Sequence, residues 1–424
     1  MSRSVDVYTS LPIEAGRFEC EEVRVGRAFF AVSRRGVATT FRYEPTYLAH
    51  KRAFPLDPAL PLFEGAHAIA DGLPYCFTDC APDRWGRNLI RKRSQGADTD
   101  AGRTRRDVTE IDYLLGVTDL TRQGALRFTD TDSGADGSFL ADVPDVPKLL
   151  ALPRLLHAAE QVELDDDDDD LSAVKELLDA GTGSLGGARP KASVRDGDRI
   201  LIAKFASPRD DWDVIAWEKT ALDLAERAGL RVPRRQLKRI NGKAVLLLDR
   251  FDRSDDGTRI PYISAMSLLG ARDGESSGYD YVDIAEALAE HGDVTITEDL
   301  HELWRRVAFS AAIHNTDDHL RNHGFLRGRA GWTLAPVFDI NPNPDIAKER
   351  EIGIASAHGR DEEREGLMAS AATFGLKEER ATKVLDEVLA ATANWRQVAT
   401  ANGIAERETH RMTDALDGLR AAAG

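Results

Sequence analysis

No run in this sequence approaches the roughly 18 consecutive apolar residues that a membrane-spanning helix needs. The opening residues, MSRSVDVYTSLPIEAG, also lack the apolar stretch of a secretion signal. Cysteine is scarce. Cys20, Cys76 and Cys80 form an odd set without paired zinc-type spacing, which excludes a disulfide framework and implies reduced thiols in the cytoplasm. The Cys76/Cys80 pair reads as packing rather than as a metal site. Excess positive charge is missing too. With 56 Lys and Arg against 72 Asp and Glu, the net charge of −16 argues against binding nucleic acid over most of the surface. There are no internal repeats.

What is present is a chain of 424 residues, 42% hydrophobic and 30% charged, long enough for two or three packed subdomains. The six aspartates at 165–170 repel one another and read as a solvated loop. The stretch Arg84 to Arg106 is basic, a pattern that suits a solvated face, an acidic partner or DNA. Alternating positions in VRVGRAFFAVS and GVATTFRYE predict short antiparallel strands before residue 60, and PDRWGRNLIRKR predicts a helix. Two helices flank the acidic run within 147–180. RILIAKF and KAVLLLDRF read as strands around the helix WEKTALDLAERAGL, with Gly229 at its C-terminal stop. Beyond 255 helical periodicity dominates, through Leu303, Val307 and Ala311 and again through Ala381, Val384, Leu385 and Val388.

The segment HNTDDHLRNHGFL, 314–326, carries the chemistry. Phosphoryl transfer needs an aspartate to accept the hydroxyl proton, an asparagine five residues on, and a second aspartate after a strand to hold Mg²⁺ through oxygen. Asp317 and Asn322 have that interval, and Asp339 follows the strand-like GWTLAPVF. His314, His319 and His323 invite a zinc site, but they form no H-E-x-x-H pattern and no thiolate is near. A polar helix-capping loop is the structural alternative, and the motif alone leaves it open.

Upstream, Gly181-x-Gly183-x-x-Gly186 has the spacing of a phosphate loop, with Arg189 and Lys191 close by and Lys204 in the following strand. Pro190 spoils a Rossmann helix, and no Walker GK[ST] is present. Glu218 opens the next helix, where it either pairs with Lys204 or complements the helix dipole. LLLDRFDR sits where a hinge would meet adenine through the backbone near Asp249 and Phe251, with Asp252 on the ribose.

These blocks together resemble the HipA-type toxin kinases. They are Ser184-Leu-Gly-Gly-Ala-Arg-Pro-Lys191, AKF, ERAGL, DRFDR, NTDDHLRN and APVFD, with FRYEPTYL, FPLDPALPL and CAPDRWGRNLI in the N-terminal part. The resemblance implies an α+β, two-lobed protein-kinase-like fold: an N-terminal β-rich subdomain (1–125), a nucleotide lobe (126–252) and an all-helical C-terminal lobe (253–424). It implies an ATP- and Mg²⁺-dependent serine/threonine protein kinase with Asp317 as base, His319 in the catalytic loop, and Asn322 and Asp339 on the metal. Ser184, Gly186, Gly187, Ala188, Lys191, Lys204, Asp249, Phe251 and Asp252 would meet the nucleotide, and Ser184 would be autophosphorylated. It further implies a protein substrate, an aminoacyl-tRNA synthetase in known cases, and a HipB-type helix-turn-helix antitoxin through which DNA is reached indirectly. Departures exist: Asp249 replaces the more frequent Glu, and Asp318 doubles the acid of the loop. A small-molecule kinase, a catalytically silent co-repressor subunit and a metal hydrolase remain as other readings.

Overall fold

The structure, a computed structural model, describes residues 2–12, 20–33, 36–100, 107–131, 138–141, 145–164, 171–181 and 189–421. The chain folds as two compact units, one of residues 1–209, 240–243 and 247–263, the other of 210–239, 244–246 and 264–424.

The first unit opens with an antiparallel sheet of β1 (Ser2–Pro12), β2 (Cys20–Ser33), β3 (Gly36–Tyr43), β4 (His67–Ile69) and β5 (Arg127–Asp130), ordered β4-β3-β2-β1-β5. A bulge between Val7 and Tyr8 shifts the β1–β2 register. The alternation that predicted β3 is the alternation of burial: Val37, Thr39, Phe41 and Tyr43 point inward. Phe41 meets Tyr43 and Phe77 edge-on, and Phe77 meets Phe128 likewise, which closes this core. Cys76 and Cys80 lie buried inside it, and the Cys80 thiol donates to the Cys76 carbonyl at 3.0 Å. Burial raises both thiols, Cys80 to about 12, so both are inert packing groups.

Part of the basic stretch is tied down internally. In helix Arg84–Asp100, Arg87 forks onto Glu110 at 2.6 and 2.7 Å, and Arg91 donates to Asn88. Arg103, Arg105 and Arg106 lie outside the described residues, as does the 165–170 aspartate run. Helices Leu152–Leu164 and Leu171–Asp179 flank that run as expected.

The later strands are β6 (Lys191–Asp196), β7 (Arg199–Phe205), β8 (Arg235–Ile240) and β9 (Lys243–Asp249), in the order β6-β7-β9-β8. Gly181, which begins the expected phosphate loop, has φ +68°, and a Cβ there would sit 2.5 Å from Thr121 Oγ1. Only glycine meets both constraints.

Helix Val214–Arg227 belongs to the second unit, not to the nucleotide lobe in which sequence order placed it. Its Trp217 lies 6.0 Å from Trp395, and Asn402 donates to Thr220 and Asp223. Around it, helices Ile296–Ala312, Glu378–Thr392 and Trp395–Ala401 make the core. This region is not all helical. The short strands β10 (Tyr262–Ser264), β11 (Gly324–Arg327) and β12 (Trp332–Leu334) form a sheet in that order. Three- and four-residue strands are too short to show a period.

Candidate active site

Helix Ile296–Ala312 buries Leu303, Trp304, Val307 and Ala308 and delivers the loop at its C-terminal end. His314 turns the chain out at φ +53°, a left-handed conformation that a non-glycine residue adopts only where its surroundings impose it. Asn315 and Thr316 are buried, Asp317 is exposed, Asp318 is buried again, and a single turn at Leu320–Asn322 follows. The two neighbouring aspartates therefore face different environments.

Asp318 accepts hydrogen bonds from the Tyr281 hydroxyl at 2.5 Å and from Ser310 Oγ at 3.0 Å, and His323 Nε2 lies 3.0 Å away. Burial would raise its pKa, but His323, Tyr281 and Arg350 hold it well below the usual carboxylate range. It is a structural anion. Asp317 keeps its carboxylate toward solvent, while the Asn322 side-chain amide donates to the Asp317 carbonyl at 3.2 Å. The Asp317 carboxyl is raised, first by partial desolvation and then by Asp339 and Glu351, with His319 pulling the other way. Asp317, His319, Asn322 and Asp339 are thus gathered within the second unit. Asp339 itself has φ +57°, a second strained position.

In the first unit, Lys191 on β6 stands directly opposite Lys204 on β7. Opposed residues of an antiparallel pair share a face, so these two buried lysines lie on one face of the sheet. The expected contacts at Ser184, Gly186, Gly187 and Ala188 lie outside the described residues. Asp249 forms an ion pair with Arg199 at 2.8 Å, and the Phe251 ring lies 6.1 Å from Tyr262.

Asp252 is held by its neighbours. Its buried carboxylate takes four donors: Arg250 Nε at 2.8 Å and Nη2 at 2.6 Å, Arg253 Nη1 at 3.0 Å and the Gly124 amide at 2.7 Å. Three of these donors fall on Oδ2 and one on Oδ1, so the carboxylate is oriented by its own neighbours. Glu218 is placed differently from expectation. The helix begins at Val214 with Asp213 as its cap, so Glu218 lies beyond the first turn, buried in the second unit.

Two family descriptions cover most of this chain: residues 183–395 match the HipA-like C-terminal domain and residues 20–104 the HipA N-terminal domain. The chain belongs to the HipA family. Among solved structures, Shewanella oneidensis MR-1 HipA, in its complex with HipB and operator DNA, matches over 94% of each chain with a TM-score of 0.61 and 14% identity. The fold is therefore α+β and HipA-like, as the sequence blocks implied. Toxin YjjJ of Escherichia coli (strain K12) is 23% identical over 299 residues, 66% of this chain and 62% of that protein's length. A proinflammatory kinase of Helicobacter pylori, CtkA, aligns over 55% of this chain and 92% of its own at 14% identity, with a TM-score of 0.36.

The donor set of this HipA-family loop fits a hard divalent cation. Asn322 Nδ2 donates to the Asp317 carbonyl, which would leave its Oδ1 available to such an ion, and Asp339 would add carboxylate oxygen. A divalent cation beside Asp339 would also offset the charge that Asp339 places near Asp317. The histidines do not converge: His314 Nε2 lies 3.0 Å from the Asp345 carbonyl, whereas His323 sits against Asp318.

Sequence reasoning stopped at Asp339 and missed Asn341 and Asn343, in the run Asn-Pro-Asn-Pro that follows. It also missed Thr316 and Arg350, whose signals were a single hydroxyl and one arginine among many.

Burial lowers the pKa of His314 to about 4. The unfolded chain would therefore bind a proton there between about pH 6.5 and 4 while the folded chain does not, and stability falls as pH drops through that window. A loss on the order of 1–3 kcal/mol is expected. Urea midpoints at the two ends of the window should differ less in His314→Gln than in the wild type; equal differences would place the proton elsewhere.

Proposed function

We propose that this HipA-family chain is an ATP- and Mg²⁺-dependent serine/threonine protein kinase, the cytoplasmic toxin of a toxin–antitoxin pair. The observation that carries the reading is the divergence of the two aspartates: Asp318 is saturated by the core, while exposed Asp317 has Asn322 hydrogen-bonded to its own backbone. Asp317 accepts the proton of a serine or threonine hydroxyl, and its raised pKa improves the match between base and weakly acidic alcohol. Asn322 and Asp339 hold Mg²⁺, which when bound neutralises phosphate charge. Lys191 and Lys204 contribute two cations on one face for the phosphates. Asp249 and Phe251 lie at the hinge, where their backbone groups would meet adenine.

Ser184 is the autophosphorylation site in this reading. Roughly two negative charges placed in the phosphate loop would oppose ATP and shut the enzyme off. The toxin name of the Escherichia coli relative and the HipA–HipB–operator complex of Shewanella support a HipB-type antitoxin partner, with DNA reached through it. The protein substrate is expected to be translation-linked, with an aminoacyl-tRNA synthetase as the first candidate to assay.

The test is incubation of the purified protein with Mg²⁺ and γ-labelled ATP, with and without excess EDTA. Metal-dependent label on the wild type that Ser184→Ala loses supports both kinase and site. An absence of ATP binding together with an absence of label would sink the reading, and label on an added sugar or lipid alone would make this a small-molecule kinase.

A further inference from the structure

The base and the metal carboxylate lie on separate stretches of the second unit, and catalysis by positioning requires their separation to be held. The contacts that hold it converge on residues 314–316. The Asn343 amide donates to the His314 carbonyl at 3.0 Å, and Asn343 Nδ2 donates to Thr316 Oγ1 at 2.7 Å. The Asn341 amide makes a longer bond of 3.4 Å to Asn315 Oδ1, and the Glu351 amide reaches the Thr316 carbonyl at 3.1 Å.

Thr316 is fully buried, so a hydroxyl there is costly without a partner, and Asn343 supplies it. Asn343 is stiff for its own reasons. It lies between Pro342 and Pro344, which restrict its backbone, and its Oδ1 accepts the Asp345 amide at 3.0 Å. On either side of this bond stand His314 and Asp339, with φ of +53° and +57°. Such conformations persist only when the surroundings over-determine them, and the Thr316–Asn343 bond joins the two strained stretches.

We propose that the Thr316–Asn343 hydrogen bond is a clamp that fixes the Asp317 loop against the Asp339 segment, which makes Thr316 and Asn343 positioning residues for phosphoryl transfer. The inference rests on the kinase reading above. Neither residue touches a reacting atom; each acts through the spacing of base and metal ligand.

The test compares self-labelling from γ-labelled ATP in the full-length wild type, Thr316→Val, Thr316→Ser, Asn343→Ala and the Val/Ala double variant. Each is measured across a Mg²⁺ titration, with nucleotide affinity and thermal melting alongside. A misplacement of about 1 Å is enough for a loss of about 100-fold, so Thr316→Val and Asn343→Ala should each slow labelling by about 10- to 100-fold. Nucleotide affinity should stay near the wild-type value, and the double variant should be no slower than the slower single one, because both remove one bond. Thr316→Ser should restore the rate. The Mg²⁺ concentration for half-maximal rate should rise in both single variants, which a purely structural defect would not produce. Wild-type rates in folded single variants, multiplying losses in the double, or a serine as poor as valine would overturn the clamp. If the wild type neither binds nor transfers phosphate from ATP, the kinase reading fails instead and takes the clamp with it.

Discussion

Asp317→Asn is expected to slow phosphoryl transfer by about 10²- to 10⁴-fold, the usual worth of a general base. Nucleotide affinity and melting temperature should remain close to those of the wild type. The physical reason is that Asp317 is exposed and its side chain makes no hydrogen bond among the described residues, while its backbone carbonyl, which asparagine retains, carries the bond from Asn322. The adjacent Asp318→Asn should behave in the opposite sense. Its carboxylate is buried against Tyr281, Ser310 and His323, so its loss should first appear as a lower melting temperature. Labelled-ATP assays and thermal melts on both variants separate the roles. Transfer that survives in Asp317→Asn would move the base elsewhere.

The largest effect on stability is expected at Arg350. Its guanidinium meets Glu363 Oε1 at 2.8 Å, the Tyr281 hydroxyl at 3.1 Å and Ser310 Oγ at 2.6 Å, with side-chain exposures of 1% and 0% for the ion pair. Removing one partner of a buried pair leaves an uncompensated charge, at a cost of about 3–5 kcal/mol. Glu363→Ala should therefore lower the urea midpoint strongly, and Arg350→Met with Glu363→Leu should recover much of the loss by removing both charges. Arg321→Ala, at an exposed pair with Asp273 (side-chain exposures of 17% and 65%), should cost well under half as much. Equal costs at the two sites would refute the account. Tyr281 and Ser310 also hold Asp318, so a Glu363→Ala protein that still folds should lose activity in parallel with stability.

How much of this was legible beforehand varied by element, for physical reasons. Strand β3 buries one face, and burial writes its own period into the order of residues. The interval between Asp317 and Asn322 was legible because both lie on one short loop, where chain geometry limits how far apart they can be. The catalytic loop, Lys204 and Asp339 were therefore readable as candidates, and the combined blocks were enough to indicate the HipA family.

Three-dimensional packing decided what local order does not encode. DRFDR offered two aspartates alike in sequence, yet Asp249 pairs with Arg199 while Asp252 is buried among donors from Arg250, Arg253 and Gly124. Helix Val214–Arg227 follows Lys204 in the chain, yet Trp217 and Asn402 join it to the C-terminal helices. Strands β10 to β12 were too short to carry a period.

By itself, then, the sequence determined the family, the main helices and strands and the shortlist of chemical groups, since those depend on periodicity and on short spacings. The interval to Asn322 already picked Asp317 over Asp318; only the tertiary structure showed Asp318 buried against Tyr281, Ser310 and His323 and tied Thr316 to Asn343, 27 residues away. Burial and hydrogen-bond partners come from residues distant in the chain, and they decide whether an aspartate faces solvent or is held in the core as an anchor.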